Sequence, residues 1–292
     1  MIIENTKLPA FPSKYVNLDN ANMHYLEAGE GDPILFLHGI PTSSYLWRHL
    51  IPHLSKLGRC IAPDLIGFGQ SDKPDIEYSI YDHSRYLQKF IETLNLKNIT
   101  LIMHGWGSVI GFQYAMQHEK NCKGLVFYEA FLRSLHNGDL SLPFQEQLTN
   151  LEHVHDVTLV DKLIQQAIMR PLAAEELENY RQPFMEAGAE KPILQYFKEL
   201  LSEDNEPINQ LIVDYSKQLA VSSLPKLLLY SVPGFITTIE TVMWAKEHLP
   251  HIEIVDIGEE LHLAQEVCPE LMSETISVWL QGIESIKTNP SF

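Results

Sequence analysis

Basic residues are scarce in this chain: 21 Lys and Arg stand against 38 Asp and Glu, for a formal net charge of -17 at pH 7. Phosphate recognition needs clustered Lys and Arg, so this balance argues against a nucleic-acid binder and against anionic membrane surfaces. It leaves a small neutral ligand open. Cysteine is scarce as well. Cys60, Cys122 and Cys268 lie far apart, form no CxxC or metal-ligand spacing, and are expected as reduced, partly buried thiols. No stretch approaches about 18 consecutive apolar residues. The first residues lack the basic segment and apolar run of a signal peptide. The expectation is a cytoplasmic protein without membrane contact. Glycine and proline are scattered and there is no repeat or low-complexity tract, so no linker divides the chain.

What the sequence does hold is a large apolar fraction, 45% of 292 residues, enough for one catalytic domain with an inserted subdomain. Residues 14–18 and 23–27 flank an Asp19-Asn20-Ala21-Asn22 turn and predict a hairpin. Short apolar runs at 34–37, 60–63, 99–103, 124–127, 227–230 and 252–257 predict six buried strands. Helical spacing marks 83–94, 106–117, 241–249 and 269–281, the last with Pro269 in its first turn. Buried strands alternating with helices imply a mostly parallel sheet covered on both faces. Residues 132–212 break the rhythm, with helical patterns at 142–151, 159–169, 174–180 and 192–200 and no convincing strand. We therefore expect a main domain from 1–131 and 213–292 and a helical cap over 132–212, with 207–219 leading back to the sheet.

Residues 99–111, ITLIMHGWGSVIG, run a buried strand straight into a helix through His104-Gly105-Trp106-Gly107. A strand-to-helix elbow exposes its central side chain at the C-terminal end of the sheet, beside free helix N–H groups that favour negative charge. In that reading Gly107 permits close strand–helix approach, and Gly105, at the nucleophile position, has no side chain to attack with. A plain loop with a glycine at φ > 0 reads the same residues equally well.

Six longer segments resolve the choice. ILFLHGIPTSSYLWR at 34–48, CIAPDLIGFGQSDKP at 60–74, LIMHGWGSVIG at 101–111, RPLAAEELENYRQPFMEAG at 170–188, PKLLLYSVPGFITT at 225–238 and DIGEELHLAQE at 256–266 together resemble the haloalkane dehalogenases. The resemblance runs from about residue 10 to 282. It implies an α/β-hydrolase fold, an eight-stranded mostly parallel sheet with an all-helical cap, and no cofactor or metal. It also implies that His262 is the base and Glu129 the acid that supports it. The backbone N–H groups of Trp106 and Ile40 would form an oxyanion hole, the Trp106 indole a halide contact. Phe131, Phe144, Pro207 and Leu211 would give apolar lining.

Three positions depart from the family pattern, which has aspartate at Gly105, asparagine at Ile40 and Pro-Gly at Glu259-Glu260. A knockout made to trap substrate needs only the first change, so Ile40 favours a natural departure. The family's aspartate displaces halide and forms an alkyl ester that a His-activated water hydrolyses. No other side chain replaces it: Ser108 and His104 are expected to point away, and Ser43 and Ser44 have no evident geometry with His262. Ordinary dehalogenation is therefore expected to be absent or very slow. A base without a nucleophile still suits non-covalent hydrolysis or proton transfer on a small hydrophobic molecule, halogenated or carbonyl-containing. The contrasting expectation is an inactive dehalogenase, natural or engineered, that binds a small ligand, as monomer or weak homodimer. His38 has no HExxH context, residues 67–71 lack dinucleotide-loop spacing, His153 and His155 read as surface groups, and Asp64 reads as an acceptor for loop N–H groups.

Overall fold

The computed structural model describes residues 11–18, 20–134, 158–201 and 206–288. The expected helix at 142–151 and His153 and His155 fall outside those residues. The predicted hairpin is β1 (Ser13–Leu18) and β2 (Ala21–Ala28). The six runs are β3 (Pro33–Leu37), β4 (Arg59–Pro63), β5 (Ile99–Gly105), β6 (Cys122–Ala130), β7 (Lys226–Tyr230) and β8 (Ile252–Asp256). With the hairpin they form one eight-stranded sheet in the order β1-β2-β4-β3-β5-β6-β7-β8. Strand β2 pairs antiparallel with β1 and β4, and every later pairing is parallel. Strands β3, β5 and β6 are buried along their whole length, as continuous apolar runs in a parallel sheet require. The expected α/β-hydrolase architecture is therefore present.

Among the described residues the α-helices are α1 (Ile51–Leu54), α2 (Ile80–Thr93), α3 (Trp106–Gln117), α4 (Thr158–Gln166), α5 (Ala174–Arg181), α6 (Lys191–Leu201), α7 (Glu206–Leu219), α8 (Ile239–His248), α9 (Ala264–Val267) and α10 (Pro269–Thr288). Helix α2 begins three residues before the expected start at 83, because Ser79 and Asp82 form a reciprocal capping box. The described insertion is helical. Its expected end at residue 212 falls inside α7, which runs unbroken and packs on α3 of the main domain. Among the described residues no helix is long and apolar enough to cross a membrane. Cys60 and Cys122 are buried and Cys268 half-buried, all as free thiols.

Burial pushes four enclosed histidines, His38, His83, His104 and His262, below the ordinary range, His83 to about 4. An unfolded histidine titrates near 6.5, so as pH falls through that value the unfolded chain takes up protons the native one refuses, and each site withdraws up to ~1.4 kcal/mol of stability per pH unit. Glu129, whose carboxyl burial raises, works in the opposite sense and offsets at most one of them. The urea midpoint is therefore expected to fall steadily from pH 6.5 to 4.5. A midpoint unchanged between pH 7 and 5 would show that these rings titrate freely in the native state.

Candidate active site

The chain passes from β5 into α3 at Gly105, with φ +51° and ψ −127°. That is a left-handed backbone which L side chains rarely adopt, and it makes the sharp elbow read from the sequence. Gly107 has the close-approach role expected of it: a Cβ there would stand 2.5 Å from the Leu37 carbonyl oxygen and 2.6 Å from that of His38. A Cβ at Gly105 would stand 3.2 Å from His262 Nε2 and 3.4 Å from Gly39 Cα. The elbow, the His262 ring and the loop after β3 thus converge on one point. The first N–H groups of α3, beginning with Trp106, face this region without intrahelical acceptors.

Glu129, near the end of β6, turns through φ +52° toward the loop after β7. Its Oε2 accepts the Phe235 and Ile236 amides at 2.8 and 2.7 Å, and its Oε1 accepts Thr237 N at 3.3 Å. The same Oε2 lies 3.0 Å from His262 Nδ1. A carboxylate only accepts, so Nδ1 carries the proton of the neutral ring and Nε2 offers its lone pair toward Gly105. Burial pushes the Glu129 carboxyl up to about 7 against the pull of the three amides, so the carboxylate that orients the ring is held above that pH. Burial also pushes His262 down, to about 3, so the ring stays in its base form far below neutral pH.

The loop carrying His262 is fixed from several sides. Tyr128 donates to the Leu261 carbonyl at 2.6 Å, and the Ala167 carbonyl, just past α4, accepts the His262 and Leu263 N–H groups at 2.9 and 3.1 Å. His104 departs from expectation. Its ring lies 4.3 Å from the His262 ring, centroid to centroid, and its Nε2 donates to the His262 carbonyl at 2.8 Å. It is a buried support for the His262 loop. Ser108 is engaged as expected, donating to the Gly105 carbonyl at 2.7 Å and accepting Phe131 N at 3.1 Å. Ser43 caps the turn at 44–47, and Ser44 donates its N–H to Asp64. Both His38 nitrogens are used, on the Gly39 carbonyl and Leu65 N, which leaves none for a metal.

A cavity of about 20 Å³ opens beside His262, lined by Ile40, Pro41 and Leu263 from the main domain and Ile164, Tyr196 and Phe197 from the cap. That is room for about one water molecule. Trp106 packs edge-on against Tyr196 and Phe131, and Phe235 stacks on His262. Of the predicted lining, Phe131 is thus beside the site, while Leu211 is half-buried on α7 and outside the cavity wall. Pro207 is a correction: it is exposed on the first turn of α7 and faces solvent. Phe144 lies outside the described residues. Tyr196, Phe197 and Phe235 escape the sequence reading, although 192–200 reads plainly as an amphipathic helix. Periodicity shows which stripe is apolar but not what it packs against.

A larger cleft of about 440 Å³, bordered by Met169, Pro233, Asp256 and Glu259, contains none of the converging groups. Among the described residues, His49, Glu176 and Glu266 bring metal-ligand atom types within 4.8 Å of one another. Both carboxylates are already paired with Arg48 and Arg170, and Tyr180 donates to Glu266. This cluster ties cap helix α5 to the main domain.

Comparison with known proteins agrees with the geometry. The family model of the alpha/beta hydrolase fold matches residues 32–157. A haloalkane dehalogenase of Agrobacterium fabrum strain C58 is 35% identical over 271 residues, 89% of each chain. One from Sphingobium indicum strain B90A is 34% identical over 289 residues, 94% of this chain and 97% of the other. The crystal structure of a haloalkane dehalogenase from Agrobacterium tumefaciens C58 superposes with a TM-score of 0.86 at 32% identity, covering 93% of this chain and 97% of that one. That of a haloalkane dehalogenase from Bradyrhizobium elkani USDA94 gives 0.89 at 30% identity, over 94% and 99%. With these extents of match, the chain belongs to the haloalkane dehalogenase family of α/β-hydrolases.

Proposed function

We propose that the chain is a hydrolase of the haloalkane dehalogenase group that has lost covalent catalysis and works by general base chemistry on a small carbonyl compound. The observation that carries this reading is the His262 Nε2 lone pair, aimed at an elbow residue without a side chain, 3.2 Å from where its Cβ would be. Halide displacement needs a carboxylate at that point, and the elbow has none to offer. Among the side chains near the elbow, Ser108 is tied to backbone groups and His104 holds His262.

In the proposed cycle one water occupies the space beside Gly105. His262 Nε2 takes its proton as the oxygen bonds to the carbonyl carbon of a lactone or ester. The negative charge that develops on the carbonyl oxygen is met by the N–H groups of Trp106 and Ile40. Collapse breaks the bond to the leaving alkoxide, which recovers the proton from His262. Glu129 keeps Nδ1 protonated and balances the imidazolium that forms transiently. The same base serves retro-Claisen cleavage of a 1,3-diketone or abstraction of a proton next to a carbonyl. The present cavity has room for only about one water molecule, so entry of any substrate requires α4 and α6 to draw back from Ile40 and Pro41.

The test is product formation from unactivated γ-lactones and 1,3-diketones by the unaltered chain and by His262→Ala. Turnover by the first and none by the second supports the reading. Turnover that persists undiminished in His262→Ala rejects it. Equal affinity of both proteins for such ligands with no product from either would instead identify a binding protein.

A further inference from the structure

A second set of reactive side chains lies at the β1 edge of the sheet, apart from Gly105 and His262. Ser13 Oγ is 2.6 Å from His24 Nε2, and His24 Nδ1 is 2.7 Å from Asp64 Oδ2. The hairpin register brings this about. Tyr15 pairs with His24 and Ser13 with Leu26, so Ser13, Tyr15 and His24 share one face of the two strands. Asp64 follows β4, whose neighbour is β2, and so meets His24 from the other side.

The protonation pattern follows from the partners. The Asp64 carboxylate accepts Ser44 N at 2.7 Å and Gln70 N at 2.8 Å, the loop role expected from its position, and it also holds His24. Because it can only accept, the hydrogen of the neutral His24 ring sits on Nδ1. Nε2 then presents a lone pair to the Ser13 hydroxyl. His24 and Asp64 are each 1% exposed, whereas Ser13 is exposed, so solvent reaches the serine alone. The Tyr15 ring lies 5.2 Å from the His24 ring and is itself 56% exposed, a flat aromatic surface beside the hydroxyl. Hydroxyl, base and orienting carboxylate in line are the elements of nucleophilic serine catalysis, which is recognised by geometry rather than by sequence order.

We propose that Ser13, His24 and Asp64 form a second acyl-transfer site, independent of His262, that reacts with activated aryl esters and with phosphonyl or phosphoryl fluorides. Ser13 Oγ bonds to the acyl carbon as its proton passes to His24 Nε2. The bond to the aryloxide breaks, and the aryloxide takes that proton and leaves as the phenol. Water then gives a proton to Nε2 and its oxygen attacks the acyl carbon, releasing the carboxylic acid and restoring the Ser13 hydroxyl. With a fluorophosphate the first half is the same: the Oγ–P bond forms, P–F breaks and fluoride departs, leaving a stable adduct.

The whole chain is treated with diisopropyl fluorophosphate, and the modified serines are quantified by peptide mass spectrometry. Ser223, also exposed, serves as the internal reference. A serine with a positioned base is expected to react about 100-fold faster than one without. Ser13 should therefore carry most of the adduct, and Ser13→Ala, checked for native circular dichroism, should lose it. Ser13 modified no faster than Ser223 would overturn the proposal. So would a total adduct level that is unchanged in Ser13→Ala.

Discussion

Gly105→Asp is expected to convert this chain into a halide-releasing enzyme. The new carboxylate would project from a Cβ placed between His262 Nε2 and the N-terminus of α3, where a nucleophile needs to stand. It would displace halide from a short haloalkane, and His262 would then activate the water that hydrolyses the ester. Loss of a nucleophile costs other hydrolases as much as about 10⁶ in kcat, so a gain of at least about 10³ over the parent is a modest expectation. The change has a structural cost. A side chain at φ +51° is strained by about 1–3 kcal/mol, and His262 must retreat a few tenths of an ångström. A lower melting temperature should accompany the gain. A folded Gly105→Asp protein that releases no halide would mean that the pocket has been reshaped around Ile40.

His262→Ala is expected to lower lactone or diketone turnover by about 10²–10⁴-fold, the usual worth of a positioned general base. Lactones keep the exposed Ser13 out of the readout, since they lack an activated leaving group. The pH profile should be informative as well. Burial holds the His262 ring neutral far below its usual range. The ring itself is therefore expected to add no inflection. Glu129, whose carboxyl burial pushes up to about 7, is the member of the pair that titrates near neutrality, so the rate is expected to fall below pH 7 as that carboxylate is lost. A Glu129→Gln protein that keeps the same inflection would show that the ring, not the carboxyl, is titrating.

Much of this site can be read from the sequence, for particular reasons. The elbow is legible because a buried run meets His104-Gly105-Trp106-Gly107 with no loop residues between strand and helix. All eight strands are legible because each is a short apolar or alternating run bounded by turn residues. Partners distant in the chain are less so. Glu129 and His262 are 133 residues apart, and only motif likeness brings them together before the fold does. The support that His104 gives to His262 is hidden for the same reason, since strand alternation predicts its side but not what crosses over to meet it. The cap is hardest. Phe197 and Pro207 both sit in apolar-rich helical stretches, yet one lines the cavity and the other faces solvent. That difference is set by helix docking, to which periodicity is blind.

Bromide release from 1-bromobutane by the unaltered chain is the most direct measurement. With a base but no carboxylate at the turn between β5 and α3, the protein should liberate no more bromide than buffer does, even over hours at high enzyme concentration. Sustained, His262-dependent bromide release would mean that some group of this chain other than residue 105 attacks carbon, and would contradict the proposed loss of covalent catalysis.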